Sequence, residues 1–213
     1  MLCALGFRAH SGWAVLVAVT EPSCSPAVVL RRTIETCDSR IRGSRQPFHA
    51  AEQLPLAKAE KHIDQCTESS RRLARQAVQG AIRDLEGQAH KVVGCGALLG
   101  SGSLLPALDS ILASHALLHA AEGELFRRVI VEAAEHCKLP VVGVREKELL
   151  KHCQEELAPR AALDKHLAEL GRALGPPWRQ DEKFATLAAW LALATAFRAK
   201  PETRAARKSA RGL

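Results

Sequence analysis

At 213 residues, with 47% hydrophobic and 25% charged, the chain is long enough to bury one substantial core and too ordinary in composition to be disordered over most of its length. Aromatics are only 4% and tyrosine is absent, which disfavours RRM- and OB-type readers that stack bases on aromatic platforms. The formal charge of +7 is uneven: from Arg198 to Leu213 six basic residues face one acid, leaving the body about +2, so charge alone does not make this a DNA-binding protein. The domain expectation is one α/β domain over 1–198, its 146–198 part helical, and a basic, solvated tail over 199–213.

Seven scattered cysteines (Cys3, Cys24, Cys37, Cys66, Cys95, Cys137 and Cys153) include no CxxC pair. Zinc-ribbon and disulfide frameworks need closer spacing, so these read as reduced thiols of a cytoplasmic protein. The apolar run Trp13 to Val19 follows Arg8 but is short, lacks an A-x-A site and meets Glu21-Pro22 at once; it reads as a strand, not a signal peptide.

In chain order, Leu2 to Thr20 forms two strands joined at His10-Ser11-Gly12. Ala27 to Thr36 is a third, with Arg31 and Arg32 suiting an edge. Cys37 to Gln53 is loop by composition. From Pro55 to Gly87 apolar residues recur at threes and fours, giving a long amphipathic helix. Its other side carries Arg71, Arg72 and Arg75, which is either a solvated face or a strip for phosphates.

Lys91 to Val144 reads as strand, glycine-rich turn, helix and strand, a crossover unit that requires a parallel sheet. GCGALLG is a loose relative of dinucleotide fingerprints, but no Gly-Lys-Ser/Thr follows and the glycines read as easing a buried strand. Within the helix His115, His119 and Glu122 fall within about 60° of one another at 100° per residue. Phe126, Val129, Ile130 and Ala133 share that face, so three ionisable groups sit on its inward side. Glu122 should therefore be buried and face a basic partner, with Arg8, His10, His119 and Arg127 as candidates. Two further helices, Glu146 to Leu157 and Arg160 to Leu174, precede the Gly175-Pro176-Pro177-Trp178 break. The last helix, Asp181 to about Phe197, is apolar nearly all round, is capped by Asp181 or Gln180, and is too short to span a bilayer.

Four stretches carry a resemblance. LGFRAHSGWAVLVAV, KVVGCGALLG, GELFRRVIVEAAEHCKLPVVGV and DEKFATLAAWLALA look like the opening hairpin, fourth strand, helix with fifth strand, and closing helix of the ribonuclease H-like superfamily. Within it they resemble the RuvC-type resolvase and pre-ribosomal RNA nuclease branch. The resemblance implies a mixed sheet of about five strands, the first three antiparallel, flanked by helices. It also implies a two-metal nuclease site of three or four carboxylates. Here this chain departs: Arg8 stands at the first-strand aspartate, Leu99-Gly100 where the fourth strand should end in an acid, and Phe184 at the second aspartate of the last helix. Only Asp181, with neighbouring Glu182, remains.

Three functions stay open. One is a divergent, non-nucleolytic member acting in nucleic-acid binding or an RNA/DNA transaction, with Arg8, Arg71, Arg72 and Arg75 on phosphates. Another is a hydrolase, metal-dependent or acid/base, built from His10, His115, His119 and Glu122, where a divalent metal is the candidate cofactor. The last is a structural or oligomerisation protein. No membrane partner is expected.

Overall fold

The computed structural model describes residues 1–21, 25–102 and 104–199; the expected basic tail, Ala199 apart, and Cys24 lie outside them. The β-branched runs form β1 (Leu2–His10), β2 (Trp13–Thr20), β3 (Ala27–Glu35), β4 (Lys91–Leu99) and β5 (Val141–Arg145). They make one sheet in the order β3-β2-β1-β4-β5. β2 runs antiparallel to both β1 and β3, while β4 lies parallel to β1 and β5 parallel to β4. This is the five-stranded mixed sheet, its first three strands antiparallel, that the hairpin and the crossover unit imply. Gly12 makes the hairpin turn with φ of 83°, and a Cβ there would also meet the Cys37 sulfur at 2.8 Å.

Among the described residues seven α-helices pack around the sheet: α1 (Pro47–Ala51), α2 (Leu56–Gly87), α3 (Leu108–Leu112), α4 (His115–His136), α5 (Leu149–Glu156), α6 (Arg160–Leu174) and α7 (Gln180–Ala199). Alternation along the strands sorts the core into two layers. Cys3, Leu5, Phe7, Ala14, Leu16 and Ala18 pack with α1, α2 and α4. Ala4, Val15, Val17 and Val19 face the other way and pack with α5, α6 and α7. No helix among the described residues is long and apolar enough to cross a membrane.

The alanine-rich α7 approaches the sheet through glycines. A Cβ on Gly6 would lie 2.0 Å from the Ala185 carbonyl oxygen, and one on Gly96 would lie 2.0 Å from that of Ala188. Gly96 of the GCG sequence thus serves helix packing on a buried strand, and small residues on both sides bring the two backbones together.

Two local expectations need correction, and one short helix is additional to them. The Cys37–Gln53 stretch holds α1, because Pro47 fixes φ at the first helical turn while Phe48 and Ala51 are buried beneath it. α3 stands just before α4, held by Ile111 in the core; it is too short for its periodicity to stand out. The first turn of the expected Glu146–Leu157 helix is a 3₁₀ turn, Glu146–Glu148, followed by α5.

Candidate functional site

The first cluster lies where β1 ends. Because residues of one parity face α7, Arg8 follows Ala4 and Gly6 onto that side. Its guanidinium donates to Glu146 with Nη2–Oε1 of 2.7 Å and Nε–Oε2 of 3.2 Å, a bidentate pair, while Nη1 donates to Asp181. The same Asp181 oxygen sits 2.9 Å from His10 Nε2, and the His10 ring stacks on Trp13 with centroids 4.2 Å apart. Phe184 closes the cluster from the side, its ring centre 5.2 Å from the Arg8 guanidinium carbon.

Glu146 is the residue that sequence reasoning missed here; it lies 138 positions from Arg8, directly after β5, and no local pattern links the two. Glu182, expected beside Asp181 in a site, is buried and accepts the Arg179 backbone N–H at 2.7 Å. That is half of a capping box, so the α7 start uses Glu182 in this role.

The carboxylate set that the resemblance calls for does not fit two divalent ions. Arg8 already supplies the positive charge between Glu146 and Asp181, and Leu99 ends β4 with its side chain against Gly143. A hard cation needs several oxygen ligands, and here both acids are engaged by a guanidinium that would repel it.

The second cluster is on the opposite layer, at the start of α4. Glu122 is 1% exposed. Its Oε1 accepts from His49, at 2.8 Å from Nδ1 and 3.2 Å from the backbone nitrogen. Its Oε2 is buried with no hydrogen-bond partner among the described residues. Of the three ionisable groups expected on the inward side, Glu122 alone is buried while His115 and His119 are exposed, and its partner is His49, none of Arg8, His10, His119 or Arg127. His10 is likewise not in this cluster: β1 aims it at the α7 layer, whereas α4 packs on the other. His115 and His119 stand one turn apart with Nε2 atoms 3.1 Å from each other. The His49 ring meets theirs edge to face, with centroids 5.3 and 4.6 Å away. One ring nitrogen from each of His49, His115 and His119 lies within 4.8 Å of the other two, a set that could hold a metal ion.

Two arginines of α2, Arg71 and Arg72, are paired with acids. Arg71 donates to Glu132 at 2.8 Å, and Arg72 reaches Asp38 at 3.4 Å while remaining half exposed. Arg75 has its Nε buried without a hydrogen-bond partner among the described residues. Hydrogen bonds from Arg40 hold the Asp38 carboxyl well below the usual carboxylate range, with Arg72 adding its charge. The described cysteines are free thiols. Burial pushes Cys95 and Cys153 up to about 12, which leaves little thiolate for nucleophilic work.

No family model and no curated relative matches the chain. Among solved structures it is similar to Thermus thermophilus RuvC in complex with a Holliday junction substrate, at 10% identity and a TM-score of 0.48 over 93% of this chain and 95% of that one. It is similar also to a Thermus thermophilus RuvC structure at 13% identity and a TM-score of 0.47, over 92% and 95% of the two chains. At such identity the functional reading has to come from this chain's own side chains.

Proposed function

We propose that this chain is a non-nucleolytic protein of ribonuclease H-like fold that acts by binding, with nucleic acid as the partner class. The observation that carries the first half is the clamp of Arg8 on Glu146 and Asp181. A metal-assisted phosphodiester cleavage needs cations against the attacking and leaving oxygens, and here a guanidinium stands among the acids that would hold them. The second half rests on the arginine face of α2, where Arg72 is half exposed and reaches Asp38 only at 3.4 Å, which leaves it available to a phosphate. Arg72 would meet a phosphate by exchanging its long contact to Asp38, and Arg71 by leaving Glu132.

The test is a pair of measurements on one preparation. Junction, duplex and RNA substrates with Mg²⁺ or Mn²⁺ should show no turnover above that of Asp181→Asn. Anisotropy of a labelled duplex should show binding that weakens linearly in log–log form with salt, and Arg72→Glu should lower the affinity at every sequence tested. Cleavage lost in Asp181→Asn would overturn the first half, and no binding at low salt the second.

A second reading, a metal-dependent or acid/base hydrolase using His115, His119 and Glu122, is favoured by one observation, the gathering of those residues around His49. Its first requirement is that the site takes a metal at all.

A further inference from the structure

We infer that His49, His115 and His119 form a binding site for one transition-metal ion of the zinc type, with Glu122 as the carboxylate that positions His49. Three independent features point there. The ring nitrogens already lie together, all within 4.8 Å. A tetrahedral zinc at about 2.0–2.1 Å from each imidazole sets its nitrogens about 3.3 Å apart. His115 and His119 stand at 3.1 Å, near that spacing, and a ring nitrogen of His49 lies within 4.8 Å of both.

The second feature is Glu122. Histidine ligands commonly give their other ring N–H to a carboxylate, which fixes the tautomer and strengthens the donor nitrogen. Glu122 Oε1 sits 2.8 Å from Nδ1 of His49, a geometry that favours the tautomer with its proton on Nδ1 and its lone pair on Nε2. A second donor from the His49 backbone keeps that carboxylate oxygen in place. The buried oxygen Oε2, without a partner, leaves negative charge beside the cluster that a cation would balance. This offsets the positive end of the α4 dipole, which by itself disfavours a cation near His115.

The third feature is exposure. Nothing in a packed core demands an edge-to-face trio of imidazoles when two of them, His115 and His119, face solvent. A plain hydrogen bond between those two would use one N–H and one lone pair and would leave His49 out. A metal uses all three lone pairs. Three protein ligands with an exposed side leave one tetrahedral position for water or an exchangeable ligand, as in sites that do chemistry and unlike closed structural ones. Imidazole donors without thiolate favour zinc, cobalt, nickel or copper over magnesium or calcium.

The experiment uses the untagged full chain, stripped with EDTA and titrated with Zn²⁺ and Co²⁺. One equivalent should bind, and Co²⁺ should give the visible bands of a four- or five-coordinate ion. Glu122→Gln should weaken binding by about 10- to 100-fold. His119→Ala and His49→Ala should weaken it beyond that range, since each removes a donor itself. His136→Ala, an exposed histidine at the other end of α4, should leave it unchanged. His119 is exposed, so its variant is expected to keep the wild-type circular dichroism; this guards against loss through misfolding. Substoichiometric Zn²⁺, or wild-type affinity in His119→Ala, would overturn the site and leave only a histidine–glutamate hydrogen-bond network.

Discussion

The two polar clusters sit on opposite layers of one sheet and treat charge in opposite ways. At the end of β1, Arg8 is met by Glu146 and Asp181, and His10 shares Asp181. Positive and negative groups there satisfy one another, and little is left for a ligand. At the start of α4 a buried carboxylate holds one histidine while keeping an oxygen unpaired, and two more histidines present nitrogens outward. The contrast teaches that placement in a fold does not decide where chemistry resides. The end of β1 is filled from within by its own ion pairs, and the layer behind it gathers the donors.

The largest effect should come from the frame that both clusters share. Gly6→Ala places a methyl 2.0 Å from the Ala185 carbonyl, so α7 has to lift off β1 and carry Asp181 away from Arg8. A loss of about 3 kcal/mol or more is expected in urea unfolding, at the upper end for overpacking. The histidine cluster, on the other layer, should still report an intact α4 in native variants. A wild-type midpoint would show that α7 does not rest on that glycine.

Arg8→Ala comes next and tests whether the first cluster is a matched set. It leaves Glu146 and Asp181 without their guanidinium. The expected loss is about 1–3 kcal/mol, reduced from the value for a fully buried pair because Glu146 is 42% exposed. An unchanged stability would mean that the pairs merely coexist. A gain would mean that the acids are better off in water.

Glu122→Gln and Glu124→Gln sharpen the other side. Glu122 is buried on His49, and Glu124 is exposed on the same helix. The first change should cost about 1–3 kcal/mol through its disturbed buried hydrogen bonds and the second under about 0.5 kcal/mol. Equal thermal midpoints for the two variants would remove Glu122 from any organising role.

How much of this was legible from the sequence follows from the range of each interaction. Period-2 runs and the crossover unit carry the sheet because strands write their faces locally, and Leu5 and Val17 fall on the layers that alternation assigns them. Glu122 was visible for the same reason, as an acid on an apolar helical face. His49 was not, because α1 has only five residues in a polar stretch and its histidine meets Glu122 across 73 positions. The one local hint was Pro47-Phe48, a helix-start proline beside a large apolar residue. Arg8 with Glu146 was hidden likewise, and the role of Gly96 appears only when the α7 backbone lies against it.

The smallest effect concerns the segment leading to His49. Asp38 bonds Arg40, and its carbonyl accepts from Ser44, fixing the chain before α1. With its folded-state titration depressed by Arg40, the folded chain binds fewer protons than the unfolded one through the acid range. Its contribution is therefore present above the ordinary carboxylate range and is lost as pH falls through and below it. Asp38→Asn should melt lower than wild type at pH 7, and the gap should close towards pH 2. A gap that persists in acid would show that charge is not what Asp38 contributes.

The central claim, a self-neutralised cluster on one layer and an open donor set on the other, is tested most directly by side-chain nitrogen NMR during metal addition. Zn²⁺ should move the imidazole signals of His49, His115 and His119 at one equivalent, while His10 and the Arg8 guanidinium stay still. Mg²⁺ should move neither group. Shifts at Arg8 and His10 with Mg²⁺, and none at the three histidines with Zn²⁺, would contradict the account.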